Sequence, residues 1–298
     1  MLIIKDYEEK LYKKIRETPD EYEETGQISG SKIAQPALTA ILTMLGIEKK
    51  FDDYTLAKFM RGHDVERMFI ERAFDKPAEI GEGGCWDADG RHYEWQYIIP
   101  KGYRGSTCSI DLLEESEREI IVHEIKSVGK MKYDRVCGTG MRKNQMAEPD
   151  KSHCLQVTLY TLSLKRDYND KRIRTMIHYV NADDYRVSTF EIDINQYKAE
   201  LDERIDAIYT AFASHRLPAY IPYEAWQKGK YNSFSELEKL SEDDVNSYIE
   251  RQYPQAYQKF INANVGESGV EYVASWPWPF WVRYIRKSKE KKTRAMVS

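Results

Sequence analysis

Apolar positions along the chain change their period twice. Ile33, Ala37, Leu38, Ile41, Leu42 and Leu45 recur three and four apart, the spacing of one buried helical stripe. That spacing predicts a helix from Lys32 to Leu45, opened by Ser29-Gly30-Ser31 and ended at Gly46. A short charged helix over Tyr7–Arg16 precedes it. A third, from Thr55 to Phe74, follows with Leu56, Phe59, Val65, Met68, Phe69 and Ala73 inward. From residue 76 the period drops to two. Tyr93–Ile99 alternates after the turn Asp87-Ala88-Asp89-Gly90, as a hairpin strand does. Thr107–Leu113, Glu119–Lys126, Thr175–Asn181 and Val187–Ile192 read as further strands, with a helix from Ser152 to about Lys165. After residue 195 the helical period returns over Gln196–Ser214 and Glu236–Phe260, the latter interrupted at Pro254. The run Trp276-Pro277-Trp278-Pro279-Phe280-Trp281 is too aromatic to stand in water, so it is expected to pack against the body.

Helices, then strands, then helices predict an α/β protein with a central mixed β-sheet flanked by helices. The parts are an N-terminal helical block over 1–75, a sheet-bearing core over 76–215 and a helical, aromatic extension over 216–298. No apolar run approaches the roughly 18 residues of a membrane span, and the N-terminus turns acidic at once, unlike a signal peptide. Cys85, Cys108, Cys137 and Cys154 form no CxxC pair, which excludes a zinc ribbon of ordinary spacing. A cytoplasmic protein with reduced thiols is expected.

Net charge is −4, yet charge is unevenly spread. Basic residues gather in Lys126–Lys143 and Arg283–Arg294, acidic ones in Glu17–Glu24 and Glu236–Asp244. Such a chain suits one groove for a polyanion better than an all-over coat.

The chemistry concentrates at Asp111 and at Glu124-Ile125-Lys126. In a strand Glu124 and Lys126 project together while Ile125 turns to the core. Asp111, ending the neighbouring antiparallel strand, would bring its carboxylate beside Glu124. Two carboxylates so placed repel unless a cation lies between them, and hard oxygen donors on a rigid sheet suit Mg²⁺ or Mn²⁺. A lysine beside them can orient a water and stabilise charge on a phosphorus under attack.

These residues stand in an order that resembles the RecB-like branch of the PD-(D/E)xK nuclease superfamily, which includes phage recombination exonucleases, the mitochondrial genome-maintenance exonuclease and the CRISPR-adaptation nucleases. The likeness covers about residues 29–215. It rests on Gly62-His63-Asp64-Val65-Glu66, on Asp111, on Glu124-Ile125-Lys126 and on Gln156-Val157-Thr158-Leu159-Tyr160. The resemblance implies a restriction-endonuclease-like core and a divalent-metal-dependent deoxyribonuclease. That enzyme would be an exonuclease of phage or bacterial DNA replication, recombination or repair, leaving a 5′-phosphate. Asp111, Glu124 and the Ile125 carbonyl would hold the metal and Lys126 would position water. Glu66 or His63, one helical turn apart, would complete the shell. Gln156 and Tyr160 would contact DNA near the scissile phosphate.

Lys130, Lys132, Tyr133, Arg135, Arg142 and Lys143 lie between the ExK strand and the Gln-x-x-x-Tyr helix in what reads as a flexible Gly-rich basic loop. They are expected to grip the phosphate backbone, with Tyr133 stacking on a base. Family members with an iron–sulfur cluster carry cysteines before the core and near the C-terminus, so no cluster is expected. Expected partners are DNA, single- or double-stranded, at its ends, and recombination or replication proteins, with no membrane. Two other readings stay open: an inactive DNA-binding or assembly protein of the same fold, and a sequence-specific endonuclease.

Overall fold

The computed structural model describes residues 26–47, 53–140, 146–224, 227, 234–266 and 269–272. The Tyr7–Arg16 helix, Arg142, Lys143, the Trp276–Trp281 run and the Arg283–Arg294 stretch lie outside the described residues.

Among the described residues the first elements are α1 (Gly30–Ile33) and α2 (Ala37–Met44). One helix over Lys32–Leu45 is thus replaced by two. Pro36 has no amide hydrogen to donate and its ring crowds the preceding turn, so it breaks the stripe and caps the second helix. Next, α3 (Asp53–Ala73) carries Val65 and Ile70 into the core. Phe59 and Ala73, expected to face inward, are exposed.

Strands β1 (Cys85–Ala88), β2 (Arg91–Ile99), β3 (Cys108–Glu115), β4 (Glu119–Val128), β5 (Arg172–Asn181) and β6 (Val187–Glu191) follow. They form one mixed six-stranded sheet in chain order, parallel only between β4 and β5. The β1–β2 hairpin turns on Asp89 and Gly90, both at positive φ, the backbone that a two-residue hairpin turn demands. The parallel pair needs a crossover, and the chain supplies α4 (Lys130–Cys137) and α5 (Lys151–Leu164) between β4 and β5. Beyond the sheet come α6 (Asn195–Ser214), α7 (Glu242–Gln252), α8 (Pro254–Ile261) and a small hairpin of β7 (Asn264–Gly266) and β8 (Gly269–Glu271).

Two apolar clusters cover the two faces of the sheet. One joins α1, α2, α5 and α6 to Ile110, Ile120, Val122 and Ile177. The other joins Val65 and Ile70 of α3 to Trp86, Trp95, Leu112, Ile125 and Val180. Their boundary identifies a kink. Trp95 and Leu112 belong to the α3 face, whereas Tyr97 and Ile110, two residues along each strand, pack on the α5 face. Regular alternation would keep both members of each pair on one face. It is broken at Gln96, whose φ is 53°, and at Asp111 across from it. No described helix is long and apolar enough to cross a membrane.

Candidate active site

The β3–β4 ladder runs from Glu115↔Ile120 to Leu112↔His123 and stops there. Asp111 and Glu124 are the next residues on each strand, so they stand where the strands part. Asp111 is expected to end its strand, but β3 continues past it to Glu115. The kink turns its carboxylate toward β4, where Oδ2 accepts the Ile125 backbone N–H at 2.7 Å. A side chain thereby takes the place of a ladder acceptor, and the bond ties Asp111 to the residue beside Glu124. Ile125 faces the α3 side of the core, so Glu124 and Lys126 project to the opposite face, as the alternation predicts.

Glu124 is 1% exposed. Its Oε1 pairs with the Lys126 ammonium, while Oε2 is buried with no hydrogen-bond partner. Glu66 comes from α3 and is also largely buried. Burial pushes its carboxyl up to about 9, with Asp111 and then Glu124 adding repulsion. Burial and then Asp111 raise Glu124 to about 8. Asp111 is raised by burial as well, although Lys126 and the Ile125 amide oppose the shift. Lys126 loses by burial but is held above its ordinary value by Glu124, Asp111 and Glu66. When all three ionise, three carboxylates thus share one ammonium, two charges short of closing the cluster.

The Gln-x-x-x-Tyr helix backs the same group. Gln156 Nε2 donates to the Tyr160 hydroxyl at 2.7 Å. Burial raises the Tyr160 hydroxyl well above its ordinary range, with Glu124 and Asp111 adding to the shift. Gly30 of α1 lies so close that a Cβ there would stand 2.7 Å from atoms of both Gln156 and Tyr160, so this glycine is a packing requirement.

His63 is exposed, its Nδ1 4.0 Å from Glu66, and of the two helical candidates Glu66 is the one brought into the cluster. The basic stretch after β4 is not a loop. Lys130, Lys132, Tyr133 and Arg135 lie on α4, which ends at Gly138 in the left-handed conformation, the ordinary helix C-terminal device. Tyr133 is buried and its hydroxyl bonds Ser188 at 2.8 Å, so its ring cannot stack on a base. Lys132 and Arg135 both hold Asp150, at 2.6 and 2.8 Å, at the head of α5. The Lys130 backbone N–H donates to Asp183. One polar residue escaped the sequence reading: His153, three before Gln156 on the same helical face. The i, i+3, i+7 spacing His153–Gln156–Tyr160 was its only signal.

The donor set suits a hard divalent cation: three carboxylates from three elements, one with a buried oxygen that bonds nothing. Among the described residues no three His, Cys, Asp or Glu side chains are already gathered at metal-ligand spacing, so holding an ion requires these carboxylates to draw together.

No protein-family model matches the chain, and no curated protein sequence does. Among solved structures, the crystal structure of SSO0001 is similar at 17% identity and a TM-score of 0.45, covering 79% of this chain and 98% of that one.

Proposed function

We propose that the protein is a divalent-metal-dependent DNA nuclease of the PD-(D/E)xK kind, acting as an exonuclease in phage or bacterial DNA replication, recombination or repair. The observation that carries this reading is the gathering of Glu66, Asp111, Glu124 and Lys126 where β3 and β4 part, against the Gln156–Tyr160 face of α5. Buried charge without compensation is costly, and sites that tolerate it are commonly functional.

Asp111, Glu124, Glu66 and the Ile125 carbonyl would hold Mg²⁺ or Mn²⁺. The bound ion would cancel carboxylate repulsion and supply an activated water. Lys126 is the counter-charge of Glu124. Once freed from that task, its ammonium can donate to the attacking water and to a phosphate oxygen as charge builds there. The Gln156 amide and Tyr160 hydroxyl line the approach as neutral donors that fix the strand without adding charge. Lys132 and Arg135, now gripping Asp150, supply positive charge for the flanking backbone. Localisation in the cytoplasm and replication or recombination proteins as partners belong to the same proposal.

The test is incubation with end-labelled single- and double-stranded DNA, linear and circular, with Mg²⁺, Mn²⁺ or EDTA. Metal-dependent loss of linear DNA alone is expected. Asp111→Ala and Lys126→Ala should lose at least a hundredfold in rate per folded molecule, with circular dichroism showing that each variant still folds. Full activity in either folded variant refutes the assignment, and cutting of circles makes the enzyme an endonuclease.

A further inference from the structure

His153 Nδ1 lies 2.7 Å from the Tyr179 hydroxyl. That hydroxyl is buried and accepts the Asp150 backbone N–H at 2.9 Å, and among the described residues Nδ1 is the one acceptor that its own proton meets, so the hydroxyl donates to His153. The ring is thereby fixed as the Nε2–H tautomer. Among the described residues Nε2 has no hydrogen-bond partner, and the residue is only partly buried. Burial, then Lys126, Lys132 and Arg135, hold the imidazole neutral, well below its ordinary pKa. The same Lys132 and Arg135 already clasp an anion, the Asp150 carboxylate, at the head of this helix.

A directed neutral N–H among three cations, on the helical face that also carries Gln156 and Tyr160, matches one ligand chemistry. Each cation is already paired with a carboxylate, Lys126 with Glu124 and the other two with Asp150, so a phosphodiester would be held by sharing the half-exposed Lys132 and Arg135, while the imidazole N–H orients one of its oxygens without adding charge. We propose that His153 is a substrate-binding residue that donates Nε2–H to a non-bridging oxygen of the DNA strand beside the bond to be cut, an inference that rests on the nuclease reading above. Tyr179 is its positioning residue, holding the tautomer from behind.

The competing role is a buttress, with His153 serving only to satisfy Tyr179. Two substitutions separate these roles. Glutamine can place its amide N–H near the position of Nε2, whereas asparagine reaches only as far as Nδ1 and can keep the Tyr179 contact. Steady-state cleavage of an end-labelled oligonucleotide in Mn²⁺ is measured alongside thermal melting. His153→Asn should raise KM roughly tenfold or more, the scale of one hydrogen bond to a charged group, with kcat less affected. His153→Gln should restore most of the loss. An unchanged KM in His153→Asn, or an impaired His153→Gln beside a normal His153→Asn, overturns the proposal in favour of the buttress. Should His153→Asn melt early, His153→Gln decides alone: a KM near wild type supports the donor role and a tenfold rise overturns it. Wild-type protein that cuts no DNA in either metal instead overturns the nuclease reading, and this inference with it.

Discussion

Strands β3 and β4 carry two buried polar clusters, and the two are balanced differently. On the α3 face a chain of contacts crosses the sheet. Arg91 pairs with Glu114, Glu114 accepts from His123 Nε2 at 3.1 Å, His123 Nδ1 meets His178 Nε2 at 2.9 Å, and His178 Nδ1 meets Thr189 at 2.8 Å. The carboxylate needs a donor from His123, which forces the direction: Thr189 donates to His178, His178 to His123 and His123 to Glu114. One carboxylate meets one guanidinium and two neutral rings, so charges and ring hydrogen bonds both close. Each cluster holds one buried carboxylate oxygen without a hydrogen bond, but Glu114 Oε1 is ion-paired with Arg91, whereas around Glu124 three carboxylates meet one ammonium and Oε2 has no such partner among the described residues. The same pair of strands supports a finished network and an unfinished one. The teaching is that burial of charge marks a functional site only when the local account fails to close.

Breaking the closed network should have the largest effect on stability. Glu114→Ala leaves the buried His123 donor facing nothing and a half-exposed Arg91 to be solvated by water, so the cost should be that of an unsatisfied buried polar group, about 1–3 kcal/mol. Glu124→Gln, equally buried, removes a repelled charge, so in EDTA it should cost nothing or stabilise the fold while abolishing cleavage. Urea unfolding of the two variants side by side reads the contrast directly; equal losses would mean that the second cluster is also closed.

Metal sharpens the difference next. An ion bound only by the folded state at a hundred times its Kd adds about 2.7 kcal/mol. Mn²⁺ should therefore raise the melting temperature of wild type and of Thr189→Val, but not of Asp111→Asn or Glu124→Gln. Because Glu66 and Glu124 hold protons up to about 9 and about 8, an ion must displace them. The metal-induced shift should grow between pH 6 and pH 9, and a pH-independent shift would place the ion elsewhere.

The clusters also titrate in opposite directions. Burial pushes His123 down to about 3, helped by Arg91 and then Arg174, and burial with His123 does the same to His178. Between pH 6.5 and 3 the unfolded chain binds more protons than the folded one, so the contribution of this pair is intact above pH 6.5 and lost as pH falls through that window. Glu66 and Glu124 are raised, so in metal-free protein their contribution is intact below about pH 4.5 and lost as pH rises through about 8 to 9. Stability measured in EDTA should fall at both ends, and Mn²⁺ should remove the alkaline fall alone.

Much of this was legible in the sequence, and the exceptions have physical reasons. The alternation of β2 and β4 and the order of Asp111, Glu124, Lys126, Gln156 and Tyr160 located the sheet, its mixed α/β architecture and the residues that the structure gathers. The kink was hidden, because Gln96 at positive φ is held by tertiary packing and no glycine announces it. Helix α4 reads as a loop in the sequence because its flanking Gly129 and Gly138 look like loop punctuation, although Gly138 is a helix stop. Tyr133 followed that error into solvent. His153 was passed over because a histidine on a mostly buried helix carries no signal until the Tyr179 hydroxyl fixes its tautomer.

The smallest effect tests whether the two clusters are independent. Thr189→Val keeps the shape of the side chain and removes the proton that His178 Nδ1 accepts, at the far end of the closed chain. Losing this partly buried hydrogen bond costs about 1 kcal/mol or less. Along β4, His123 and Glu124 are neighbours in sequence but project to opposite faces, and among the described residues no hydrogen bond joins the two networks. Thr189→Val should then leave cleavage per folded molecule unchanged. Its stability cost should add to that of Glu124→Gln within about 0.3–0.5 kcal/mol, as for sites that share no partners. A larger coupling would mean that the histidine chain senses the carboxylates through the β4 backbone, and the sheet would no longer separate a structural face from a chemical one.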